Sequence, residues 1–173
     1  MTDLNKAIIS IAKEAVENYI KKKACNISDK AKSISYLQEK KACFVCLKKD
    51  GLLRGCIGTI TPDKPTLAEE IERNAISAAT CDYRFQPVTE EELESIDYSV
   101  DVLSIPEKTD IASLDPKEYG VLVESSWKTG VLLPDLEGVD TVEEQLGIAK
   151  QKAGICETEE IEIYRFKVER FNE

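Results

Sequence analysis

Apolar residues recur along the chain with two different periods, and the change of period predicts where helices and strands lie. Over the first part of the chain they return every three to four positions, which is the spacing of an amphipathic helix. Thr66 and Glu69 match a capping box, in which a threonine and a glutamate satisfy the first free amides of a helix. The helices predicted in this way are 3–23, 66–80, a short acidic helix that opens at Thr89, and a helix from Thr141 to its terminator Gly154.

The strand patterns come mostly as neighbouring pairs, which predicts hairpins. Residues 41–60 contain two apolar runs joined at Asp50-Gly51, and residues 119–133 form a second such pair. Residues 96–102 alternate as a half-buried strand. The last strand changes phase near 163–164, which indicates a β-bulge or a strand that serves two surfaces. Hairpins favour an α+β fold with an antiparallel sheet flanked by helices over a parallel βαβ sheet.

Size and composition predict a single globular domain over residues 1–173. The chain has 42% hydrophobic and 32% charged residues, which is ordinary for a globular protein. Polar residues 26–40 predict a loop with one short helical turn, and the turn-rich stretch 104–118 is the predicted boundary if the domain has two lobes. No apolar run reaches the length of a membrane span and no signal peptide is recognisable, so we expect a cytoplasmic protein with no membrane contact.

Charge and histidine content exclude several kinds of chemistry. The net charge of -10 and the pI of about 4.7 disfavour nucleic acid as a partner, because phosphate-binding surfaces are usually basic. The chain has no histidine, which rules out Ser-His-Asp and Cys-His catalysis and histidine-ligated zinc. Any proton transfer must therefore fall to Asp, Glu, Lys, Tyr or Cys.

The six cysteines, at positions 25, 43, 46, 56, 81 and 156, are expected to be reduced thiols in a cytoplasmic protein. Cys43 and Cys46 have the spacing of a metal or redox motif. In a strand, however, residues three apart point to opposite faces, and the chain offers no second ligand pair. The interpretation of these two as core cysteines is favoured, and we expect no metal and no cofactor on this chain.

Leu53-Arg54-Gly55-Cys56-Ile57-Gly58 is the candidate site. A hairpin with a two-residue turn places Val45 opposite Cys56. It also puts Arg54 and Cys56 on one face of the strand, and Leu53 and Ile57 on the core face. A thiol is nucleophilic as thiolate, and a nearby guanidinium favours that form, so Cys56 is the candidate nucleophile. Gly55 and Gly58 would let a ligand approach the backbone. The alternative is a small buried cysteine beside an Arg54 that pairs with a carboxylate.

A second cluster, Asp82-Tyr83-Arg84-Phe85-Gln86-Pro87, follows the helix of 66–80. Arg84 is suited to hold a carboxylate or phosphate, and Asp82 could position it or move protons. Phe85 and Trp127 are candidates for an apolar pocket wall, with core packing as the alternative. The alternative for the charged pair is local: Asp82 hydrogen-bonds the turn and Arg84 pairs with one of the acidic residues 90–94.

The six-residue motif closely resembles the hallmark of the AMMECR family, and the resemblance extends over nearly the whole chain. Further matching segments are Phe44-Val45, Asp50-Gly51, Arg73-Asn74-Ala75, Ala78-Ala79, residues 82–89, Gly120-Val121-Leu122-Val123, residues 130–134 and Tyr164-Arg165-Phe166. The chain departs from the family at Gln86, where proline is common, and at 136–139, where a tryptophan often occurs. The resemblance implies an α+β fold of two lobes with a cleft between them.

The resemblance also implies partners. In prokaryotes the family is similar to the A component of the AmmeMemoRadiSam system, whose other members are a Memo-like protein and a radical SAM protein. One hypothesis is therefore a cleft that binds a small anionic ligand and belongs to a cysteine-dependent enzyme or enzyme subunit. In it Cys56, Arg54 and Asp82 are catalytic, and Gly55, Gly58, Arg84 and Phe85 bind the ligand. The alternative is a non-catalytic adaptor for the same partners, and a gene-expression role agrees least with the acidic chain.

Overall fold

The computed structural model describes residues 2–24 and 33–172. Within these ranges the helices are α1 (Asp3–Ile20), α2 (Ser35–Gln38), α3 (Leu67–Thr80) and α4 (Val142–Ala153), with 3₁₀ turns at Glu90–Ser95 and Ile111–Ser113. The strands are β1 (Cys43–Lys49), β2 (Leu52–Gly58), β3 (Ile96–Leu103), β4 (Glu107–Lys108), β5 (Gly120–Ser125), β6 (Lys128–Leu132), β7 (Glu162–Phe166) and β8 (Val168–Asn172). The predicted loop over 26–40 lies partly outside the described residues, and α2 supplies its predicted helical turn.

The described chain divides into two compact units. The first comprises the residues up to Val102 together with those from Glu169, and the second comprises Leu103–Val168. Each unit has its own hydrophobic core and its own four-stranded sheet, in the orders β2-β1-β3-β8 and β4-β7-β5-β6. Strands β1–β2, β1–β3, β4–β7, β5–β6 and β5–β7 pair antiparallel, so the predicted α+β class is confirmed. The single-domain organisation, the boundary in 104–118 and the cleft stay predictions.

The core of the first unit lies between its sheet and helices α1 and α3. Thr66 caps α3 by accepting a hydrogen bond from the amide of Glu69, which fixes where this helix begins. Helix α3 contacts α1, β1 and β2, and its apolar stripe is buried against them. On the strand side the core takes alternate residues, namely Cys43, Val45 and Leu47 of β1 and Tyr98, Val100 and Val102 of β3. The other face of these strands therefore points away from the helices.

The second unit packs α4 on the β5–β6 hairpin. Gly154 ends α4 with a φ of 65°, as the glycine after the helical pattern predicted. The exposed fraction of Trp127, beside the tight turn between β5 and β6, is 86%, so core packing is wrong for this residue. Strand β7 pairs with β5 without a register shift, and the chain then enters β8 of the other sheet. The predicted bulge near 163–164 is therefore wrong, and the alternative of a strand that serves two surfaces applies, because Ile163 and Phe166 are both buried although residues three apart point to opposite faces.

Within the described residues, no helix combines the length and the apolar character that crossing a bilayer would require.

Candidate functional site

The β1–β2 hairpin that carries the motif contains a bulge at Arg54. Asp50 and Gly51 have φ values of 53° and 77°, which is the left-handed pair of a tight hairpin turn, as predicted. Lys48 pairs with Leu53, but Leu47 pairs with Gly55, so Arg54 is an extra residue on the β2 side. An extra residue of this kind shifts the partner of every residue that follows it.

The bulge overturns two predictions from the ideal hairpin. Val45 pairs with Ile57, and it is Cys46 that lies opposite Cys56. Leu53 is 40% exposed and does not lie in the core. The extra residue shifts the alternation of inward and outward side chains by one position, so residues before Arg54 and residues after it no longer follow the same alternation. The prediction for Ile57 is confirmed, since its side chain packs against the core of the first unit.

The two glycines of the motif are contacted closely by the chain itself. Gly55 lies opposite the buried Leu47, on the face towards α3, and a Cβ atom at this position would overlap the backbone carbonyl of Ala78. A Cβ atom on Gly58 would overlap the ring of Phe44. These positions therefore let the helix and the ring approach β2. A direct ligand contact at either glycine stays a prediction.

The guanidinium of Arg54 is bound to Glu92. Its Nε and Nη2 atoms donate to the two carboxylate oxygens of Glu92 at 3.0 and 2.9 Å, and Nη1 donates to the carbonyl oxygen of Gln86 at 2.9 Å. The side chain of Arg54 is only 15% exposed. Hydrogen bonds from Arg54 lower the pKa of Glu92 to about 2, so this carboxylate stays ionised at neutral pH. The alternative in which Arg54 pairs with an acidic residue is what the structure shows.

Asp82 and Arg84 form the second ion pair, and it is held against the backbone of Cys56. One oxygen of Asp82 accepts from the amide of Cys56 at 2.9 Å and from Arg84 Nη2 at 2.6 Å, while the other accepts from Arg84 Nε at 2.9 Å. Arg84 Nη2 also donates to the carbonyl oxygen of Cys56 at 3.4 Å. Hydrogen bonds from Arg84 lower the pKa of Asp82 to about 2. Arg84 therefore pairs with Asp82 and not with residues 90–94.

This ion pair closes the free edge of the sheet. Strand β2 is an edge strand, and Asp82 and Arg84 satisfy the amide and the carbonyl of Cys56 that point away from β1. Cys46 and Cys56 are therefore a non-hydrogen-bonded pair, the arrangement that brings opposite residues closest. Their Cα atoms are 4.2 Å apart.

Cys46 and Cys56 are joined by a disulfide bond. Both are half-buried on the sheet face away from the helices, whereas Cys43 lies fully buried on the core side. The expectation that all six cysteines are thiols is therefore wrong for this pair, because the bulge moves Cys46 into the place predicted for Val45. Sequence reasoning missed Cys46 as a site residue. The sequence signal for it was its position in the hairpin, because a register shifted by one residue brings Cys46 opposite Cys56 in place of Val45.

Phe85 flanks the site at the ion pair. Its ring centre is 5.5 Å from the guanidinium carbon of Arg84, and its amide donates to the carbonyl of Asp82 at 3.0 Å. The ring is half-buried, so it supports the guanidinium from one side. The predicted role of Phe85 in holding a ligand, like the catalytic roles of Arg54, Cys56 and Asp82, stays a prediction.

Fold and site together define a class of protein: an α+β domain whose bulged edge hairpin carries an Arg-Gly-Cys sequence closed by two ion pairs. The sequence model of the AMMECR1 family matches residues 9–171, and the chain belongs to this family.

The chain is similar to known proteins both in sequence and in structure. A protein of Thermotoga maritima is 54% identical over 159 residues, which are 90% of this chain and 91% of that protein. A protein of Clostridium acetobutylicum is 55% identical over 134 residues, which are 78% of this chain but only 29% of that protein. The crystal structure of the uncharacterized protein PH0010 from Pyrococcus horikoshii is similar with a TM-score of 0.87 and 30% identity, covering 98% of this chain and 91% of that one.

Proposed function

We propose that this chain acts through the sulfur of Cys56 on small anionic ligands that Arg84 attracts. In this proposal it is a cysteine-dependent enzyme or enzyme subunit that works in the cytoplasm with a Memo-like protein and a radical SAM protein. The observation that carries the proposal is the position of Arg84. Its side chain is 43% exposed, and its guanidinium is held against the backbone of the cysteine in the family motif.

The structure favours Arg84 over Arg54 as the cation that meets a ligand. The donors of Arg54 are directed at Glu92 and at loop carbonyls, and its side chain is 15% exposed. A guanidinium has five N–H donors, and the ion pair with Asp82 engages only the Nε and Nη2 atoms of Arg84. Its outer side can therefore bind a carboxylate or a phosphate in addition to Asp82.

In this mechanism Asp82 is a positioning residue. Because its pKa is about 2, it carries no proton at neutral pH and cannot act there as a general acid. Its ionised carboxylate instead fixes the guanidinium of Arg84 and the amide of Cys56 at one place. Once Cys56 is a free thiolate, an anion bound to Arg84 is held beside the nucleophile.

The test compares an anionic and a neutral alkylating reagent on the fully reduced, folded protein. The rates at which iodoacetate and iodoacetamide modify Cys56 are measured by peptide mass spectrometry. We expect the ratio of the two rates to exceed that of free N-acetylcysteine and to fall roughly threefold in Arg84→Gln, because two unit charges separated by about 6 Å in water interact with about 0.7 kcal/mol. Arg84→Lys, the matched control, keeps the charge and should keep most of the ratio. A ratio that does not change in Arg84→Gln contradicts the proposal.

A second candidate function is a non-catalytic adaptor for the same partners. It is favoured by two exposed apolar residues, Leu52, which directly precedes the motif and is 74% exposed, and Tyr83, which lies between Asp82 and Arg84 and is 95% exposed. In the Clostridium protein the matched region is a minor part of a longer chain, which supports a domain that works alongside other sequence. The adaptor predicts that partner binding depends on this apolar surface and not on the sulfur of Cys56.

A further inference from the structure

The two bonded cysteines occupy unlike positions in the sheet. Cys46 is on β1, which has β2 on one side and β3 on the other, where Ser99 is its partner. Cys56 is on the edge strand β2. Both sulfur atoms belong to the face away from α3, and both residues are half-buried. The pair is therefore partly accessible, unlike a cystine sealed in a core.

The surrounding contacts hold the hairpin without help from the disulfide. The bond joins residues ten positions apart that the Asp50-Gly51 turn already places opposite each other. Strand β1 is also paired with β3 from Cys43 to Lys49, and Asp82 fixes the amide of Cys56. A cross-link stabilises mainly by restricting the unfolded chain, and a short loop restricts it less than a long one, so the native contacts of the hairpin are expected to outlast the bond. Breaking the bond should therefore leave the fold intact.

We propose that Cys46 and Cys56 form a reversible thiol–disulfide couple that reacts with dithiols and small disulfides, and that its oxidised form blocks Cys56. The part about blocking rests on the proposed function, since it takes Cys56 to be the reacting sulfur. In a reducing cytoplasm the couple is a dithiol at rest, with Cys56 free. Oxidation joins it to Cys46 and stops its chemistry.

The geometry assigns the point of attack to Cys56. In thiol–disulfide exchange the attacking thiolate approaches along the S–S axis from the side opposite the leaving sulfur, so access to each sulfur decides the reaction. For attack on Cys56 that side is the edge of the sheet, where Arg84 attracts anions. For attack on Cys46 it is the side of Ser99 and the neighbouring strand β3.

The exchange balances with a dithiol as reductant. One thiolate of the dithiol attacks Sγ of Cys56; a mixed disulfide forms, the bond to Cys46 breaks, and Cys46 leaves with the electron pair and takes up a proton. The second thiol of the reductant then attacks the reductant's first sulfur, which is the partner of Cys56 in the mixed disulfide. This step closes a disulfide within the reductant and releases Cys56 as a thiol. Two electrons and two protons have passed from the dithiol to the protein. A small disulfide such as oxidised glutathione reverses the reaction through the same kind of intermediate.

Cys43 provides an internal control three residues from Cys46. It is fully buried, its sulfur accepts a hydrogen bond from the side-chain amide of Asn74, and burial raises its thiol pKa to about 12. A buried thiol with a raised pKa is unreactive, because the thiolate is the form that reacts. It should remain unreactive whatever the redox state of the neighbouring pair.

The first test is a redox titration of the folded protein. The protein is equilibrated with mixtures of reduced and oxidised dithiothreitol, quenched with acid, alkylated under denaturing conditions, and mapped by mass spectrometry. We expect Cys46 and Cys56 to gain and lose alkylation together, with the circular dichroism spectrum unchanged, and to do so equally in a Cys81→Ser background. Independent titration of the two, or loss of the fold on reduction, overturns the proposal.

The second test traps the intermediate with oxidised glutathione on the reduced variants. Cys46→Ala should accumulate a mixed disulfide at Cys56 faster than Cys56→Ala accumulates one at Cys46, while Cys43 stays unmodified in the folded protein. Equal rates, or the reverse order, contradict the assigned attack at Cys56. Neither test uses the ratio of iodoacetate to iodoacetamide, so failure of the redox couple and failure of the anion site are distinguishable.

Discussion

Replacing Asp82 by asparagine tests whether its ion pair with Arg84 supports the sheet edge. The carboxylate is 2% exposed and accepts hydrogen bonds from the amides of Cys56 and Arg84 and from two guanidinium nitrogens. Asparagine has nearly the same shape, but one acceptor oxygen becomes an NH₂ group that faces donors. Asp82→Asn therefore removes the charge and leaves at least one buried donor without an acceptor.

The magnitude follows from the pKa of Asp82. A pKa of about 2 in the folded protein, against 3.8 for the ordinary side chain, corresponds to about 2.4 kcal/mol at 1.36 kcal/mol per pKa unit. Arg84 is 43% exposed and can be rehydrated, so the full cost of a broken buried pair does not apply. We expect Asp82→Asn to lower the free energy of unfolding of the reduced protein by about 2–3 kcal/mol at pH 7.

The pH dependence gives the sharper test. Because the folded pKa is depressed, the stabilisation is fully present above the unfolded pKa and is lost as the pH falls through the folded pKa. About half of it should be gone by pH 3. Urea unfolding of wild type and Asp82→Asn between pH 7 and pH 3 should therefore show a shrinking difference. Asp140→Asn, which removes a 72% exposed carboxylate paired with Lys117, is the matched control and should cost much less than Asp82→Asn. A loss in Asp82→Asn that does not depend on pH would refute the reasoning.

Two further predictions concern the packing of the motif and the adaptor function. Gly55→Ala should destabilise the protein by about 3 kcal/mol or more, because the new Cβ overlaps the backbone carbonyl of Ala78. The control Gly147→Ala on α4 meets open space and should stabilise the protein by up to about 1 kcal/mol. Urea unfolding measures both variants, and equal effects would contradict the packing role of Gly55. If the chain is an adaptor, Tyr83→Ala should abolish capture of a co-expressed Memo-like protein while Cys56→Ser keeps it. Loss of capture in Cys56→Ser alone would exclude the adaptor.

The elements that could be predicted from the sequence are those with local signals. Thr66 and Gly154 mark the ends of their helices through contacts within one turn, and Asp50-Gly51 closes a hairpin through its own backbone angles. Each signal depends on residues a few positions apart, so no knowledge of the tertiary structure is required. The antiparallel architecture follows from the hairpins in the same way.

The bulge at Arg54 could not be predicted because its causes are distant in sequence. Glu92, which binds the guanidinium of Arg54, is 38 positions away, and the carbonyl of Gln86 is 32 positions away. The close contact between Gly55 and the backbone of Ala78 likewise depends on how α3 packs on the sheet. An ideal two-residue hairpin was the reasonable local expectation, and one extra residue was enough to exchange Val45 for Cys46 opposite the motif cysteine.

The contacts separate the parts of the motif that build the fold from the sulfur of Cys56, which is bonded to Cys46 and takes no part in the two ion pairs. Arg54 holds the loop of residues 86–92, and Gly55 admits the helix backbone, so both residue types are explained by structure. At position 56, however, the contacts to Asp82 and Arg84 are made by the backbone amide and carbonyl, which every residue except proline provides. Serine or alanine would serve these contacts equally well. What cysteine alone adds at a half-buried position is a sulfur that can ionise and exchange, and this is the reason to look for the function in its chemistry.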